Sequence, residues 1–402
     1  MTATPATATG GALVDWPARA AALADELAAA GKLASPAWRA AVQAVPRHLF
    51  VPRFYVRRDD RMHALAADDP ATSRDWAEQV YTNTALVTKL GHDEPGGPPV
   101  YLSSSSTPGL ITRMLETLDV HDGHRVLEIG TGTGWNAGLL CHRLGAASVF
   151  SVDIDPDLIE TARARLAGLG YRPTLAVADG ALGLAAHAPY DRLIATCSVP
   201  SIPWAWVEQV RVGGVILADL RAGLGAGNLV RLTRTAPDRA EGMFDAGYAT
   251  FMQLRHTPGS SPVPFMRASA DTPVSESATT LDPRTPWSNR VVWFLAALRI
   301  GRRYRLGYTR GDPRHGPEAV SIATADGSRA EIALAAGEHG AHAVRETGPA
   351  RLWQHVEHAH RQWAAADQPD WPRLGLSVTP TQQTIYVDAP GNPLATLTTP
   401  AV

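Results

Sequence analysis

The chain is poor in the residues that mark several common protein classes. It has only two cysteines in 402 residues, Cys141 and Cys197, so we predict no disulfide framework and no metal site. Its formal net charge is −2 and it has no long basic run, which argues against a nucleic-acid partner. No apolar stretch reaches the roughly 18 residues of a membrane span, and the N-terminus lacks the pattern of a secretion signal. We therefore expect a cytoplasmic protein without a membrane partner, whose oligomeric state the sequence does not indicate.

The chain is long enough for more than one domain. Of its residues, 45% are hydrophobic, which allows a sizeable core and suggests two or three domains. Alanine and leucine at helical spacing predict a helix from Trp16 to Gly31, and Pro36 after Ser35 predicts the start of a second. We assign residues 1–120 to an N-terminal helical region that ends in a loop.

Residues 121–235 alternate between short apolar runs and helical patterns. Runs of this kind, bounded by glycine, are typical of strands buried on both faces. Alternation of strands and helices over more than a hundred residues predicts a parallel sheet with right-handed crossovers, which is a doubly wound α/β domain. The predicted strands are RVLEI, SVFSVD, PTLAVAD, YDRLIATC and GGVILADL.

The pattern changes after residue 236. Asp326-Gly327 lies between two β-rich runs and predicts a hairpin. An amphipathic helix follows, with Leu352, Val356 and Trp363 among its apolar positions, and residues 375–398 predict two or three further strands. We therefore predict a separate α+β domain over residues 236–402.

The string VLEIGTGTG places Gly130, Gly132 and Gly134 between a strand and a helix. Glycine is required where the chain turns sharply and a ligand must contact the backbone. A dinucleotide fingerprint would place its third glycine at position 135, which is tryptophan here. The spacing, with Glu128 in the preceding strand, resembles the S-adenosyl-L-methionine loop of class I methyltransferases, which have a Rossmann-like fold.

Further candidates for the cofactor site end the next two strands. Asp153 ends the second strand, where an acid can accept the ribose hydroxyls, and Asp179-Gly180 ends the third, where this enzyme class holds the adenine. Each aspartate could equally be a turn residue, and Glu128 could be a satisfied core group. Because the carboxyl ends of parallel strands share one edge, we predict that the set binds S-adenosyl-L-methionine.

A run of hydroxyl residues, Ser103–Thr107, precedes the next predicted helix. It is either a flexible linker or the lining of a site. Together with AVPRHLFVP and the glycine loop, it resembles protein-L-isoaspartate O-methyltransferases over about residues 38–220. The resemblance implies Ser106 as the catalytic serine, with Ser104 and Thr107 in substrate binding. Ser105 and Gly109 depart from the family pattern, which typically has an apolar residue and an aromatic or histidine there.

The resemblance implies methyl transfer to a carboxylate of an aspartate or L-isoaspartate in a peptide or protein, leading to a succinimide. A carboxylate has a pKa of about 4, so no general base is needed at neutral pH. Amino-group methyltransferases often carry an Asp/Asn-Pro-Pro-aromatic motif after the fourth strand, whereas this chain has TCSVP.

The C-terminal string RLGLSVTPTQQTIYVDAPGNP resembles variants found with lanthipeptide or graspetide maturation systems. This second resemblance favours an ordinary aspartate of a ribosomally made peptide as the acceptor. General repair of L-isoaspartyl proteins is the main alternative. A non-catalytic cofactor-binding module or an RNA methyltransferase remains open, since fold alone does not fix function.

Overall fold

The computed structural model describes residues 15–92, 99–257, 274–301, 304–309 and 316–397. Contacts within the chain divide it into two compact units. The first comprises Met1–Thr196, Gln209–Arg211 and Arg255–Ser261, and the second comprises Cys197–Glu208, Val212–Leu254 and Pro262–Val402. The predicted domain start at residue 236 falls inside the second unit. Within the described residues, no helix combines the length and the hydropathy that a membrane span requires.

The helices follow the capping and periodicity signals in the sequence. Proline stands in the first turn of several of them, because its missing N–H has no helical partner there. The helices are α1 (Trp16–Ala29), α2 (Pro36–Ala44), α3 (Arg47–Phe50), α4 (Ser73–Gln79), α5 (Pro108–Leu118), α6 (Trp135–Leu144), α7 (Pro156–Gly168), α8 (Trp204–Gln209), α9 (Thr285–Ser288), α10 (Arg290–Ile300) and α11 (Leu352–Ala365).

The strands form sheets in both units. They are β1 (Arg53–Arg58), β2 (Arg61–Ala66), β3 (Leu86–His92), β4 (Pro99–Ser105), β5 (Val126–Ile129), β6 (Val149–Asp153), β7 (Thr174–Val177), β8 (Tyr190–Val199), β9 (Val210–Gly223), β10 (Ala226–Ala236), β11 (Arg239–Phe244), β12 (Val274–Thr279), β13 (Tyr304–Tyr308), β14 (Ala319–Thr324), β15 (Arg329–Ala333), β16 (His342–Thr347), β17 (Leu374–Val378), β18 (Gln383–Val387) and β19 (Pro393–Leu397).

The first unit contains the predicted parallel sheet. Strand β5 pairs in parallel with both β6 and β8, and β6 pairs in parallel with β7, which gives the order β8-β5-β6-β7. All four residues of β5 are buried, as expected for a strand covered on both faces. The doubly wound α/β fold is therefore confirmed. The predicted fifth strand, β9, differs because it pairs antiparallel with β10.

The N-terminal region is not only helical. Strands β1 to β4 form an antiparallel sheet in the order β2-β1-β3-β4. The prediction of a loop for the serine run is wrong, because Ser103–Ser105 lie in β4 and pair with β3. The sequence signal was weak because serine has no strand preference, and the glycine- and proline-rich stretch before β4 is typical of a loop. Glycine and proline content predicts a loop at residues 91–100, but residues 91–92 end β3 and residues 99–100 begin β4, while residues 93–98 lie outside the described residues.

The second unit is an α+β region with two antiparallel sheets. One is the antiparallel part of a ten-stranded sheet, in the order β9-β10-β11-β17-β18-β19, and the other is a five-stranded sheet in the order β12-β16-β15-β14-β13. The predicted hairpin at Asp326-Gly327 joins β14 to β15, with Gly327 in the left-handed region at φ 86°. Helix α10 is buried from Val291 to Ala297 and packs against α11.

A buried ion pair stabilises the segment that follows β11. Arg221 donates two hydrogen bonds of 3.0 Å to the carboxylate of Asp219, which is 0% exposed. The same carboxylate accepts from the backbone N–H of Phe251 at 2.9 Å, and Arg221 donates to the Ala249 carbonyl at 2.6 Å. Both residues belong to β9, so the pair links this strand to the chain that runs toward residue 255.

We expect Asp219→Ala to lower the free energy of unfolding by roughly 3–5 kcal/mol, because it leaves the Arg221 guanidinium buried and unpaired. Urea unfolding of the full chain measures the loss. Arg239→Ala is the control, since Arg239 forms a half-exposed pair with Glu241 and should cost about 1 kcal/mol or less. Equal losses in the two variants would contradict the structural role of the Asp219 pair.

Candidate active site

The carboxyl ends of the parallel strands converge beside β5. The chain adds β6 and β7 on one side of β5 and then crosses to place β8 on the other side. Open α/β sheets bind ligands at such a reversal of strand order. The glycine loop follows β5, Asp153 ends β6, and Asp179 lies two residues after β7. The three predicted groups therefore lie at one edge of the sheet.

The glycine loop can be formed only by residues without a side chain. Gly130 has φ 93°, and a Cβ there would lie 2.8 Å from Thr196 Oγ1. Gly134 has φ 87°, and a Cβ there would lie 2.9 Å from the Ala162 Cβ. Both values are in the left-handed region that other residues rarely adopt. The loop thus exposes its backbone where a ligand can approach.

Asp153 is fixed by backbone amides. One carboxylate oxygen accepts from the Gly132 N–H at 2.9 Å and the other from the Asp155 N–H at 3.1 Å. Burial raises the pKa of Asp153, and the two amides and the nearby Arg255 charge oppose that effect. Asp155 itself caps α7 by accepting from Asp157 N–H at 3.1 Å, which agrees with its prediction as a helix cap.

Asp179 has one oxygen bound locally and the other bound to a histidine. The first accepts from the Ala181 N–H at 2.9 Å, and the second lies 2.9 Å from Nδ1 of His256. Two exposed apolar side chains flank this position, Val177 at 54% and Leu182 at 60% exposure. Gly180, between them, is buried. An acid flanked by exposed aliphatic groups fits a flat heterocycle that carries an amino group.

Glu128 is fully buried behind the loop. Its carboxylate accepts from Asn136 Nδ2 at 2.7 Å and from Ser151 Oγ at 2.5 Å. Ser151 also lies 2.6 Å from the hydroxyl of Thr131, which belongs to the glycine loop. Burial raises the pKa of Glu128 to about 7, although both hydrogen bonds oppose the change. Glu128 is therefore connected to the glycine loop through the side chains of Ser151 and Thr131. Direct contact between Glu128 and a cofactor stays a prediction.

The hydroxyl strand, β4 together with Ser106 and Thr107, lies directly against the glycine loop. A Cβ on Gly132 would be 3.7 Å from both Ser103 Oγ and the Ser104 carbonyl oxygen. Side chains alternate along a strand, so Ser103 and Ser105 are buried while Ser104 and Ser106 are partly exposed. No described residue hydrogen-bonds the side-chain hydroxyl of Ser104 or Ser106, so both can donate to a ligand.

Arg47 holds the end of this strand in place. The guanidinium is 0% exposed and donates to the Val80, Thr82 and Thr84 carbonyls at 2.8–3.0 Å. It also makes longer contacts of 3.4 Å to Ser105 Oγ and to the Ser106 carbonyl. Burial lowers the pKa of Arg47 to about 9. Among the described residues, no carboxylate forms an ion pair with it.

The structure brings most of the predicted residues together and adds three. Gly132 contacts both the hydroxyl strand and Asp153, so the two halves of the site are adjacent. Thr107 precedes α5 without capping it through its side chain, and its role in substrate binding stays a prediction.

Sequence reasoning missed Arg47, Arg255 and His256. Arg47 belongs to the AVPRHLFVP string, on which the family resemblance rests. That string does not indicate that Arg47 contacts Ser105 and Ser106. Arg255 and His256 had no local signal.

We expect Glu128→Gln to remove part of the pH dependence of stability. A carboxyl whose pKa is raised on folding contributes stability below about pH 4.5, and this contribution is lost as the pH rises through about 7. Glutamine does not titrate. The unfolding free energy of the variant relative to wild type should therefore rise by roughly 1–3 kcal/mol between pH 5 and pH 8.

Urea unfolding at the two pH values measures this difference. Glu160→Gln is the matched control, because Glu160 is exposed on α7. The same relative stability of Glu128→Gln at both pH values would show that Glu128 titrates in the folded chain as it does in the unfolded one.

Comparisons with known proteins identify the family. Residues 56–242 match the family model for protein-L-isoaspartate(D-aspartate) O-methyltransferase. A protein-L-isoaspartate O-methyltransferase of Xanthobacter autotrophicus is 36% identical over 50% of this chain and 76% of its own length. The one from Rhodospirillum rubrum is 32% identical over 55% of this chain and 86% of its own length.

A solved structure of a protein-L-isoaspartate O-methyltransferase has a similar fold, with a TM-score of 0.53. It is 21% identical to this chain and covers 92% of it and 100% of its own chain. The glycine loop, the two strand-end acids and the aliphatic groups beside Asp179 fit the methyl donor of such enzymes, S-adenosyl-L-methionine. The chain belongs to the protein-L-isoaspartate O-methyltransferase family and is a carboxyl O-methyltransferase that uses this donor.

Proposed function

We propose that the enzyme methylates the free carboxylate of L-isoaspartyl residues in proteins or peptides, with Ser106 and Ser104 orienting the carboxylate. The observation that carries the proposal is the approach of the hydroxyl strand to Gly132, at 3.7 Å from a Cβ position on that glycine. This approach supports the proposal because the strand that carries Ser104 lies beside the loop expected to bind the methyl donor. The relatives from Xanthobacter autotrophicus and Rhodospirillum rubrum, both named for L-isoaspartate, support this acceptor.

For the aspartates and glycines of the cofactor site we propose the roles that the sequence predicts. Asp153 accepts from the ribose hydroxyls, while Asp179 and Gly180 hold the adenine beside Val177 and Leu182. Gly130, Gly132 and Gly134 present the backbone, and Glu128 supports the loop through Ser151 and Thr131. His256 now occupies one oxygen of Asp179, so it has to share or yield this oxygen when an adenine amino group binds.

The chemistry requires positioning more than proton transfer. S-adenosyl-L-methionine supplies an electrophilic methyl group on a sulfonium. An ionised carboxylate of the acceptor attacks this methyl, the new O–C bond forms as the S–C bond breaks, and the bonding electrons leave with sulfur. The positive sulfonium and the negative carboxylate are thereby neutralised together. Alignment of the two groups can contribute most of the acceleration.

The methyl ester can react further without the enzyme. The backbone nitrogen that follows the residue can attack the ester carbonyl and release methanol, which gives a succinimide. Hydrolysis of that ring returns aspartyl and isoaspartyl forms. This sequence accounts for repair and also for the formation of an aspartimide in a processed peptide.

A second candidate acceptor is an ordinary aspartate of a ribosomally made, modified peptide. The chain extends well beyond the residues that match the family model, and the second unit could contribute to peptide recognition. However, the solved protein-L-isoaspartate O-methyltransferase shares the fold over 92% of this chain. A fold of this extent is therefore not specific to a tailoring enzyme, and we favour the L-isoaspartyl acceptor.

Mass spectrometry distinguishes the two acceptors. The full chain is incubated with S-adenosyl-L-methionine and either an L-isoaspartyl peptide or its normal aspartyl isomer, both linear and macrocyclic. We expect a methyl gain on the isoaspartyl peptides, followed by loss of methanol. Methylation confined to the aspartyl macrocycle would favour the tailoring role, and no methylation of any peptide would contradict both.

We expect Ser106→Ala to lower kcat about 10- to 100-fold and to change cofactor affinity less than about twofold. The loss corresponds to one hydrogen bond to a charged group, roughly 1.5–3 kcal/mol. The alanine variant keeps the backbone carbonyl that Arg47 contacts. Ser288→Ala, an exposed serine in the second unit, is the control and should leave kcat unchanged. A parallel loss of cofactor affinity in Ser106→Ala would contradict the assignment to the acceptor.

A further inference from the structure

Lys89 connects the sheet of the hydroxyl strand to the segment that follows β6. It lies in β3 and pairs with Ser103 of β4 in the antiparallel ladder. Its Nζ donates to one carboxylate oxygen of Asp155 at 2.6 Å and lies 3.5 Å from the exposed carboxylate of Asp157. The side chain of Asp155 is only 5% exposed. The ion pair therefore joins the strands that carry the serines to the start of α7.

The strand pairing is irregular at this lysine. Val87 pairs with Ser104 in the regular register. Continuation of that register would place Lys89 opposite Leu102, but Lys89 pairs with Ser103 instead. Strand β3 thus has one extra residue between the two pairs, which is the pattern of a β-bulge. Bulges are frequent beside active sites, where they redirect a side chain, and this one precedes the side chain that reaches Asp155.

Asp155 is linked in turn to the acid at the end of β6. Its backbone N–H donates to one oxygen of Asp153 at 3.1 Å, and the other oxygen accepts from the Gly132 N–H at 2.9 Å. A Cβ on Gly132 would lie 3.7 Å from Ser103 Oγ, and Ser103 is the ladder partner of Lys89. The contacts therefore form a closed ring that contains both the hydroxyl strand and the glycine loop.

Lys89 is the counter-ion of a nearly buried carboxylate. Burial opposes ionisation of Asp155, but the hydrogen bond and the charge of Lys89, together with backbone amides of α7, hold its pKa below the usual value. Among the described residues, Lys89 forms the only ion pair of Asp155. The other oxygen of Asp155 accepts from the Asp157 N–H at 3.1 Å, so the cap of α7 does not depend on the lysine.

We propose that Lys89 is a positioning residue for methyl transfer, which acts through Asp155 and Asp153 to hold the hydroxyl strand in line with the methyl donor. The inference rests on the proposed function, because it takes the hydroxyl strand as the acceptor side and Asp153 as a donor contact. Methyl transfer depends on the alignment of the two reacting groups. Loss of the ion pair therefore slows the chemical step and leaves the separate affinities for donor and acceptor nearly intact.

The test measures methyl transfer in a single turnover, with the full chain saturated by S-adenosyl-L-methionine and an isoaspartyl peptide. Lys89→Met should lower this rate about 5- to 50-fold and change the calorimetric affinities for S-adenosyl-L-homocysteine and for the peptide less than about threefold. Rates are expressed per S-adenosyl-L-homocysteine binding site, so that unfolded chains are not counted. Arg58→Met is the matched control from the same sheet, because it removes a half-exposed pair with Asp75, and it should leave the rate unchanged.

Two further variants separate positioning from a general structural effect. Asp155→Asn keeps a side-chain oxygen for the cap of α7 but removes the charge, so it should slow transfer as Lys89→Met does. Because the two residues act as a pair, the double variant should be slower than either single variant by less than about twofold. Lys89→Arg keeps the charge and should stay within about threefold of the wild-type rate.

Four results would overturn the proposal: an unchanged rate in Lys89→Met, fully additive losses in the double variant, a loss in Lys89→Arg as large as in Lys89→Met, or a cofactor affinity that falls in proportion to the rate. If Lys89→Met does not fold, an unchanged rate in Asp155→Asn overturns it equally.

The proposed function fails on a different result. If wild type transfers no methyl group to the isoaspartyl peptide, the acceptor assignment is wrong, and so is the inference that rests on it. If wild type transfers the methyl group and Lys89→Met does so at the same rate, only the role of Lys89 is wrong.

Discussion

The site depends on a buried arginine that holds a strand of hydroxyl residues. Arg47 is inaccessible to solvent and contacts three carbonyls between residues 80 and 84 as well as Ser105 and Ser106. Serine side chains on an edge strand would otherwise have little to fix their position. Because a guanidinium group presents five donors in a rigid plane, one side chain can fix several backbone segments at once. Lysine could not replace this set of contacts.

The charges around the hydroxyl strand suit an anionic acceptor. Arg47 reaches the strand at Ser105 and Ser106, and Arg255 reaches it at Leu102. Both guanidinium groups donate to neutral carbonyl or hydroxyl oxygens, so their positive charge is not cancelled locally by an ion pair in the described residues. On the cofactor side, the acids Asp153 and Asp179 receive N–H donors. The Arg255 charge also acts on Asp153 and opposes the rise in the pKa of that carboxyl, so the two parts of the candidate site are coupled.

The second unit has its own construction. Its antiparallel sheets and the buried helix α10 form a core without the glycine loop or the hydroxyl strand. The ion pair of Asp219 and Arg221 fixes the chain from Ala249 to Phe251, which leads directly into Arg255. Arg255 therefore comes four residues after Phe251, whose backbone N–H donates to the buried Asp219 carboxylate.

The sequence by itself determined the parallel sheet and the edge at which the glycine loop, Asp153 and Asp179 lie. Strand periodicity and glycine spacing are both local signals. The glycine signal is specific because the φ values of Gly130 and Gly134 exclude most other residues. The tertiary structure decided what lies opposite that edge. Pairing with β3 places Ser103–Ser105 in strand β4. Arg47, Arg255 and His256 form hydrogen bonds to Ser105, Leu102 and Asp179, which are 58, 153 and 77 positions away in the sequence. Such contacts leave no periodic pattern in the sequence, since they depend on how distant segments pack and not on the conformation of each segment.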